Sequence, residues 1–461
     1  MFQGELRIFA RLQAARDEEK NENDMKQTVI PKETVDSVIS RNGLKSVGQA
    51  SIREVKKLIN DVEKASGTHF IRMEMGIPGL PAAKIGVDAE IAALQEGIAS
   101  LYPEVGGLTE LKDEMARFAK NFLDISVSPA GCIPTVGSMQ GSFASFRTVS
   151  RARKGKDTTL FIDPGFAVHK QQHRVLGIPF ESFDVYDFRG PKLREKLESY
   201  LSKGNISSIF YSNPNNPSWI CLTDDELRTI ADLARKYDVI VMEDLAYFGM
   251  DFRHDISTPG VPPFQPTVAK YTDKYILFVS SSKAFSYAGQ RIGMMMISDA
   301  LYKSEFPDFK AYYNSTQFGH TMIFGTVYCL SSGTAHSPQY ALLAILKAVN
   351  EGKYNFVHET RIYGEKAHKM KEMFLKNGFY LAYDKDVDKD LSDGFYFTVG
   401  YPGMNSEQLL HNLLYFGISA ISLGITGSER EGIRACVSLV PMEDLPELET
   451  RLEKFKAYFS E

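Results

Sequence analysis

An α/β fold built on a mostly parallel sheet is predicted from three features of the sequence. Five short apolar runs recur in one stretch: TTLFID (158–163), SSIFYS (207–212), DVIVME (238–243), YILFVS (275–280) and GMMMIS (293–298). Runs of this length, apolar at nearly every position, read as strands buried on both faces. Amphipathic stretches of helical period separate them, and alternating strands and helices wind into a doubly covered parallel sheet. Chemically distinctive residues stand just beyond the runs, where open α/β sheets bind ligands.

Composition sets the outer bounds. The 461 residues, 43% of them hydrophobic, suffice for a large core in two or three domains. A net charge of −5 gives no footprint for nucleic acid. The four cysteines (Cys132, Cys221, Cys329, Cys436) are scattered with no CxxC pair, which argues against a disulfide or zinc framework and suits a reducing compartment. No segment reaches the ~18 apolar residues of a membrane span. The N-terminal MFQGELRIFARLQAARDEEK lacks the continuous apolar region of a signal peptide. A soluble cytoplasmic protein is expected.

Along the chain, residues 1–45 read as an accessory arm. Leu6, Phe9 and Leu12 could form one helical face, followed by the charged run RDEEKNENDMKQ. The stretch is too short and too little basic for a DNA-binding domain. TVGSMQGS (135–142) is a Gly/Ser turn running into a helix, whose free backbone N–H groups suit a phosphate. Between the second and third runs, TDDELRTIADLARKY carries Thr223 as N-cap and Glu226 three residues on, a capping box. After residue 350 a second α/β block is expected, with long helices at 353–377, 405–416 and 443–459 and short strands such as FYFTVG.

The residues beyond the runs form an ordered set. Pro164-Gly165-Phe166 and His169 follow the first, NPNNPSW (213–219) the second, Asp244-Leu245-Ala246-Tyr247 the third and Lys283 the fourth. Singly, each has a commoner explanation. A lysine past a strand is usually a solvated cap, NPNNP a turn, an aspartate an N-cap, Phe166 a core residue and His169 a structural histidine. Their joint occurrence in one order, each at an element's end, is what carries weight.

That order resembles the fold-type I pyridoxal-phosphate enzymes, specifically the class I/II aminotransferases related to aspartate aminotransferase. The likeness runs from about residue 50 to the C-terminus. Its most specific block is SSSKAFSYAGQRIG, joined by NPNNP and D-x-A-Y. The resemblance implies a large domain (90–350) with a mostly parallel seven-stranded sheet flanked by helices, and a smaller α/β domain from 46–89 and 351–461. It implies pyridoxal 5'-phosphate as cofactor, and amino-group transfer from an L-amino acid to a 2-oxo acid by a ping-pong, Schiff-base route. A C–S lyase, decarboxylase or cyclase on the same fold is the alternative, because the cofactor supplies the hard chemistry in all of them.

Residue roles follow from the same resemblance. Lys283 holds the cofactor aldehyde and, once freed, moves protons. Asp244 partners the pyridine nitrogen, and His169 supports it from behind. Tyr247 and Asn216 bond the ring oxygen, and Phe166 stacks on the ring where relatives often carry Trp or Tyr. Ser138, Met139, Gln140, Ser280 and Arg291 hold the phosphate. Tyr102, in YPEVGGLTELK, reaches the phosphate of a neighbouring subunit, which makes a homodimer with shared active sites the expected assembly. Arg434, in GIRACVSL, grips the substrate carboxylate, with Gly76 close by. Two departures bear on substrate choice. Gly76-Ile77-Pro78-Gly79 stands where G-x-P-D or G-x-P-N is usual, and Ser218-Trp219 follows NPNNP in place of T-G or S-G. No second arginine stands out as a partner for a dicarboxylate.

Overall fold

The computed structural model describes residues 25–460. Leu6, Phe9 and Leu12 therefore lie outside the described residues. The described chain opens with helix α1 (Lys32–Arg41) and helix α2 (Ile52–Ser66), the latter started by a Ser51/Glu54 capping box and ended at Gly67 in the left-handed region. Val35 and Val38 of α1 and Val55, Leu58, Ile59 and Val62 of α2 pack together with Ile30 into a core shared with the C-terminal block. From Ile30 onward the stretch expected as an arm is thus held down by buried aliphatic side chains.

The large sheet has seven strands: β1 (Cys132–Thr135), β2 (Thr158–Asp163), β3 (Phe180–Asp184), β4 (Ile206–Ser212), β5 (Ile240–Asp244), β6 (Tyr275–Ser280) and β7 (Gly293–Ile297). Their spatial order is β1-β7-β6-β5-β4-β2-β3. Only β7 runs antiparallel to its neighbours. Successive residues enter opposite cores, as the two-residue period of a strand requires. Leu160, Ile209, Val241, Leu277 and Met296 face one core. Phe161, Phe210, Met242, Phe278 and Met295 face the other. Both faces being buried explains why these strands read as unbroken apolar runs. Helix α3 (Gly137–Val149) follows β1, helix α4 (Ala167–Leu176) follows β2, and helix α5 (Asp224–Lys236) carries the expected Thr223/Glu226 capping box.

The C-terminal block holds four antiparallel strands, β8 (Tyr380–Leu381), β9 (Tyr396–Gly400), β10 (Ile421–Ser422) and β11 (Ile433–Cys436), in the order β10-β11-β9-β8. Ile71–Arg72 pairs in parallel with Ile418–Ser419, which ties the two ends of the chain into one unit. The single helix expected at 353–377 is two, Phe356–Thr360 and Ile362–Lys376. The Thr360 hydroxyl bonds back to the carbonyls of Phe356 and Val357 where the first one stops. The second core also takes in Trp219, Tyr247 and Met250 from the large-sheet part, so the two parts meet beyond the ends of β4 and β5. Charge holds the same junction. Arg189 bonds Glu226 at 2.7 Å and Asp386 at 3.1 Å, and Arg253 bonds Asp386 at 2.8 Å.

Candidate active site

Parallel strands bring their C-terminal ends to one edge, and here that edge carries the polar residues. Ser212, the last residue of β4, pairs in register with Asp244, the last of β5. Chain geometry then forces NPNNPSW, Asp244–Tyr247 and Lys283 to leave the sheet side by side. Asp244 is buried, and its carboxylate accepts one hydrogen bond, from the Ala246 N–H at 3.1 Å. Burial raises its pKa to about 7, because the low-dielectric surroundings disfavour the charged form. A cation placed against this carboxylate would restore its ionisation. Lys283 follows β6 in the short helix Ser281–Ala284, half-buried, with its ammonium donating to the Gly76 carbonyl. Desolvation first, then the like charges of Arg434 and Arg291, bring its pKa down to about 8. An appreciable fraction of neutral, nucleophilic amine is therefore available near neutral pH.

The phosphate candidates converge at the start of α3. No side chain caps this helix, so its first N–H groups remain open to an anion. Gly137 has φ of 62°, and a Cβ there would stand 2.7 Å from Arg291 Nη2. The Arg291 guanidinium therefore lies directly over the helix start that carries Ser138, Met139 and Gln140. A Cβ on Gly293 would meet the Ser138 N–H at 3.0 Å, so the end of β6, the start of β7 and the helix close on one another. The Ser280 hydroxyl accepts from the Ser282 N–H, and the Gln140 amide is engaged with Val136 and Ser331.

Arg434, on β11, is 1% exposed. Its Nη1 donates to Asn216 Oδ1 at 3.2 Å and its Nη2 to the Glu74 carbonyl at 2.7 Å, while Nε has no partner. Among the described residues no carboxylate pairs with this buried cation, which is costly unless an anionic ligand completes it. These features fit pyridoxal phosphate and a substrate carboxylate: a helix start under an arginine, a buried carboxylate short of partners, a partly neutral lysine and an orphaned guanidinium nitrogen.

His169 sits differently from the expectation, and the places of Tyr102 and Trp219 are also defined. His169 makes no hydrogen bond to Asp244 among the described residues; its ring packs edge-on against Phe210 at 4.4 Å and Phe166 at 5.5 Å. Burial pushes it down to about 3, so it stays neutral. Tyr102 is 93% exposed and bonds none of the set. Trp219, the departure that follows NPNNP, lies in the interior. It is 1% exposed, with φ of 66°, donates to Ser392 Oγ at 3.0 Å and meets the Tyr247 ring edge-on at 5.6 Å.

Tyr396 and Phe395 escaped the sequence reading. The Tyr396 hydroxyl lies 2.7 Å from that of Tyr247, and the Arg434 guanidinium stands 4.3 Å from the centre of its ring. The Lys283 ammonium is 5.6 Å from the Phe395 ring centre. Both lie in FYFTVG, which reads as plain core strand; the one available signal was a tyrosine hydroxyl in an apolar run, which needs a buried partner.

Comparison with known proteins bears on the family and the fold. The family described as aminotransferase class I and II matches residues 73–451. A probable aspartate aminotransferase of Methanocaldococcus jannaschii is 24% identical over 259 residues, 56% of this chain and 63% of that protein. The match thus spans a little under two thirds of that relative. A putative aminotransferase of Bacillus subtilis is 23% identical over 84% of this chain and 91% of its own length. Among solved structures, aspartate aminotransferase of Thermotoga maritima superposes with a TM-score of 0.71 at 18% identity, covering 88% of this chain and 97% of that one. At that identity the superposition speaks for the fold.

Proposed function

Because this chain belongs to the class I and II aminotransferases, whose cofactor is pyridoxal phosphate, we propose that it moves an amino group from an L-amino acid to a 2-oxo acid. The observation that carries the reading is Arg434, a buried guanidinium with no carboxylate partner among the described residues, close enough to Lys283 to help lower it to about 8. Relatives named as aspartate, asparagine–oxo-acid and LL-diaminopimelate aminotransferases all carry transaminase names, which disfavours the lyase and decarboxylase readings. Their substrates differ, so the names leave the amino acid open.

When bound, pyridoxal phosphate supplies an electron sink for the substrate's α-carbon. The protein's residues do the rest. The open N–H groups of Ser138, Met139 and Gln140, with Ser280 and Arg291, hold the phosphate dianion. Asp244 would set a negative charge against the ring nitrogen and so keep it protonated. Tyr247 and Asn216 would offer hydrogen bonds to the ring oxygen, and Phe166 would pack against the ring. Arg434 takes the α-carboxylate in a forked pair, with the Gly76 backbone alongside, and so fixes which bond of the α-carbon faces Lys283. Lys283, as free amine, would take the proton from the substrate α-carbon and pass it to the cofactor's aldehyde-derived carbon, regaining its free base.

Division into a large part (90–350) and a small part built from 46–89 and 351–461 fits the two sheets. The assembly in this reading is a homodimer, supported by the apolar side chains left open on one chain: Ile91 (50% exposed), Leu101 (61%), Phe324 (53%) and Tyr102 itself. No described helix is long and apolar enough to cross a membrane.

The test is a screen of the purified protein, loaded with pyridoxal phosphate, against the twenty amino acids. At least one should convert the cofactor chromophore to its amino form and release the matching 2-oxo acid. Conversion by none ends the proposal. Subunit sharing has its own check: a mixture of inactive Lys283→Ala and Tyr102→Phe chains should regain part of the activity through hybrid dimers, and no regain would place Tyr102 outside the site.

A further inference from the structure

Tyr396 stands on β9, at the register position opposite Cys436 and beside Arg434 on β11, yet its hydroxyl meets Tyr247 of the large-sheet part. It is 2% exposed, and Trp219 packs edge-on against both tyrosine rings, at 6.1 Å and 5.6 Å. The other side of the hydroxyl is closed by Gly76, where a Cβ would fall 2.0 Å from it. One phenol therefore touches the tyrosine assigned to the ring oxygen, the arginine assigned to the carboxylate, and the glycine whose carbonyl holds Lys283. We propose that Tyr396 is a positioning residue of the transfer reaction, orienting the Tyr247 hydroxyl and coupling it to carboxylate capture at Arg434.

The argument is one of proton count. Two hydroxyls 2.7 Å apart share one hydrogen bond, and only one of them donates it. If Tyr396 donates, the Tyr247 proton is free to point at the ring oxygen. If Tyr247 donates, that oxygen loses its donor. The guanidinium over the Tyr396 ring decides between them, because a cation on the face draws electron density from the phenol and makes it the better donor. Arg434 works against the upward pull of burial on both phenols; its guanidinium lies over the Tyr396 ring, and Tyr396 itself pushes Tyr247 further above the usual phenol range. A carboxylate on Arg434 neutralises that cation and weakens the bias. Occupancy of the carboxylate site is thereby transmitted to the ring oxygen through Tyr396 and Tyr247, alongside the direct Arg434–Asn216 hydrogen bond. Among the described residues the other ionisable group facing the pair is Cys436, on the neighbouring strand, and it does not bond the Tyr396 hydroxyl.

This inference rests on the aminotransferase reading, and its test separates the two. The loaded protein is titrated with pH by visible absorbance, without and with saturating butanoate, which offers a carboxylate and no amine. In the wild type, butanoate should move the midpoint. In Tyr396→Phe the starting midpoint should differ by about one pH unit, the value of one hydrogen bond, and the butanoate shift should fall by at least half. Tyr247→Phe, which removes the same bond from the other side, should lose the shift to a similar extent, and the double variant should lose no more. Phe at 396 keeps the ring over Arg434, so loss of packing alone predicts unchanged midpoints. Wild-type midpoints and shift in Tyr396→Phe overturn the proposal; should that variant fail to fold, an unaltered shift in Tyr247→Phe does so. A wild-type protein that takes up no cofactor overturns the aminotransferase reading and this one with it.

Discussion

A buried arginine without a counter-ion is the most informative single residue here. Arg434 keeps two hydrogen bonds to Asn216 and the Glu74 carbonyl and leaves Nε open. Those bonds fix the guanidinium plane, and a planar fork presented in one orientation recognises a carboxylate through two parallel bonds. Lysine keeps the charge and loses the fork. Arg434→Lys should therefore raise KM for the amino acid by about tenfold to a hundredfold, one to two charge-assisted bonds, with a smaller change in kcat; an unchanged KM would show that another group captures the carboxylate. At this scale the sequence was legible where residue type and position coincide. Lys283, Asp244 and Asn216 stand at or just beyond strand ends, and Arg434 interrupts the apolar strand β11; polar residues in an otherwise apolar pattern attract notice. Tyr396 was not legible, because its importance lies in a hydroxyl contact 149 residues away in the chain. His169 was legible as a histidine in the right place, but its packing among phenylalanine rings is set by tertiary contacts no local pattern records.

Elements were read in proportion to how local their causes are. The inner strands of the large sheet announce themselves because burial on both faces makes every position apolar, and α5 because its capping box is contiguous. β1 is only four residues long and contains Pro134, and β8 and β10 are two residues each. Such strands exist because distant partners are there to pair with them, so no window of sequence contains their cause. The start of α3 joins the two levels, since its function depends on the backbone of one glycine. At φ of 62°, Gly137 occupies the left-handed region, and a methyl there would press on Arg291. Gly137→Ala should leave the fold intact, because the colliding atom ends a flexible side chain. It should displace the guanidinium and weaken cofactor retention about tenfold, the value of one phosphate contact. The measurement is cofactor loss on dialysis, followed by absorbance; retention equal to wild type would remove Arg291 from the phosphate site.

Taken whole, the molecule sets an acid and an amine in the seam between two cores, and both ionise with difficulty there. The linkage between ionisation and folding then has a definite sign for the cofactor-free protein. Asp244 is raised to about 7, above its ordinary carboxylate value, so between roughly pH 4 and pH 7 the folded state binds more protons than the unfolded one. Its contribution to stability therefore falls as pH rises through that window and is flat above it. Lys283 is lowered to about 8, so between about pH 8 and pH 10.5 the unfolded state binds more protons, and its contribution rises with pH there. Neighbours blur a single curve: Glu243 is raised to about 7 by burial and adds to the fall. A difference curve removes that blur. Asp244→Asn keeps the shape and the Ala246 hydrogen bond but cannot ionise. The melting temperature of cofactor-free Asp244→Asn, relative to wild type, should therefore climb between about pH 4 and pH 7 and then level off. Cofactor should reverse the ordering at pH 8, because the ring nitrogen then gives the Asp244 carboxylate a positive partner that asparagine cannot match. A difference curve that stays flat with pH, or an ordering that cofactor leaves unchanged, would mean that Asp244 ionises freely and that the charge on the ring nitrogen is held by something else.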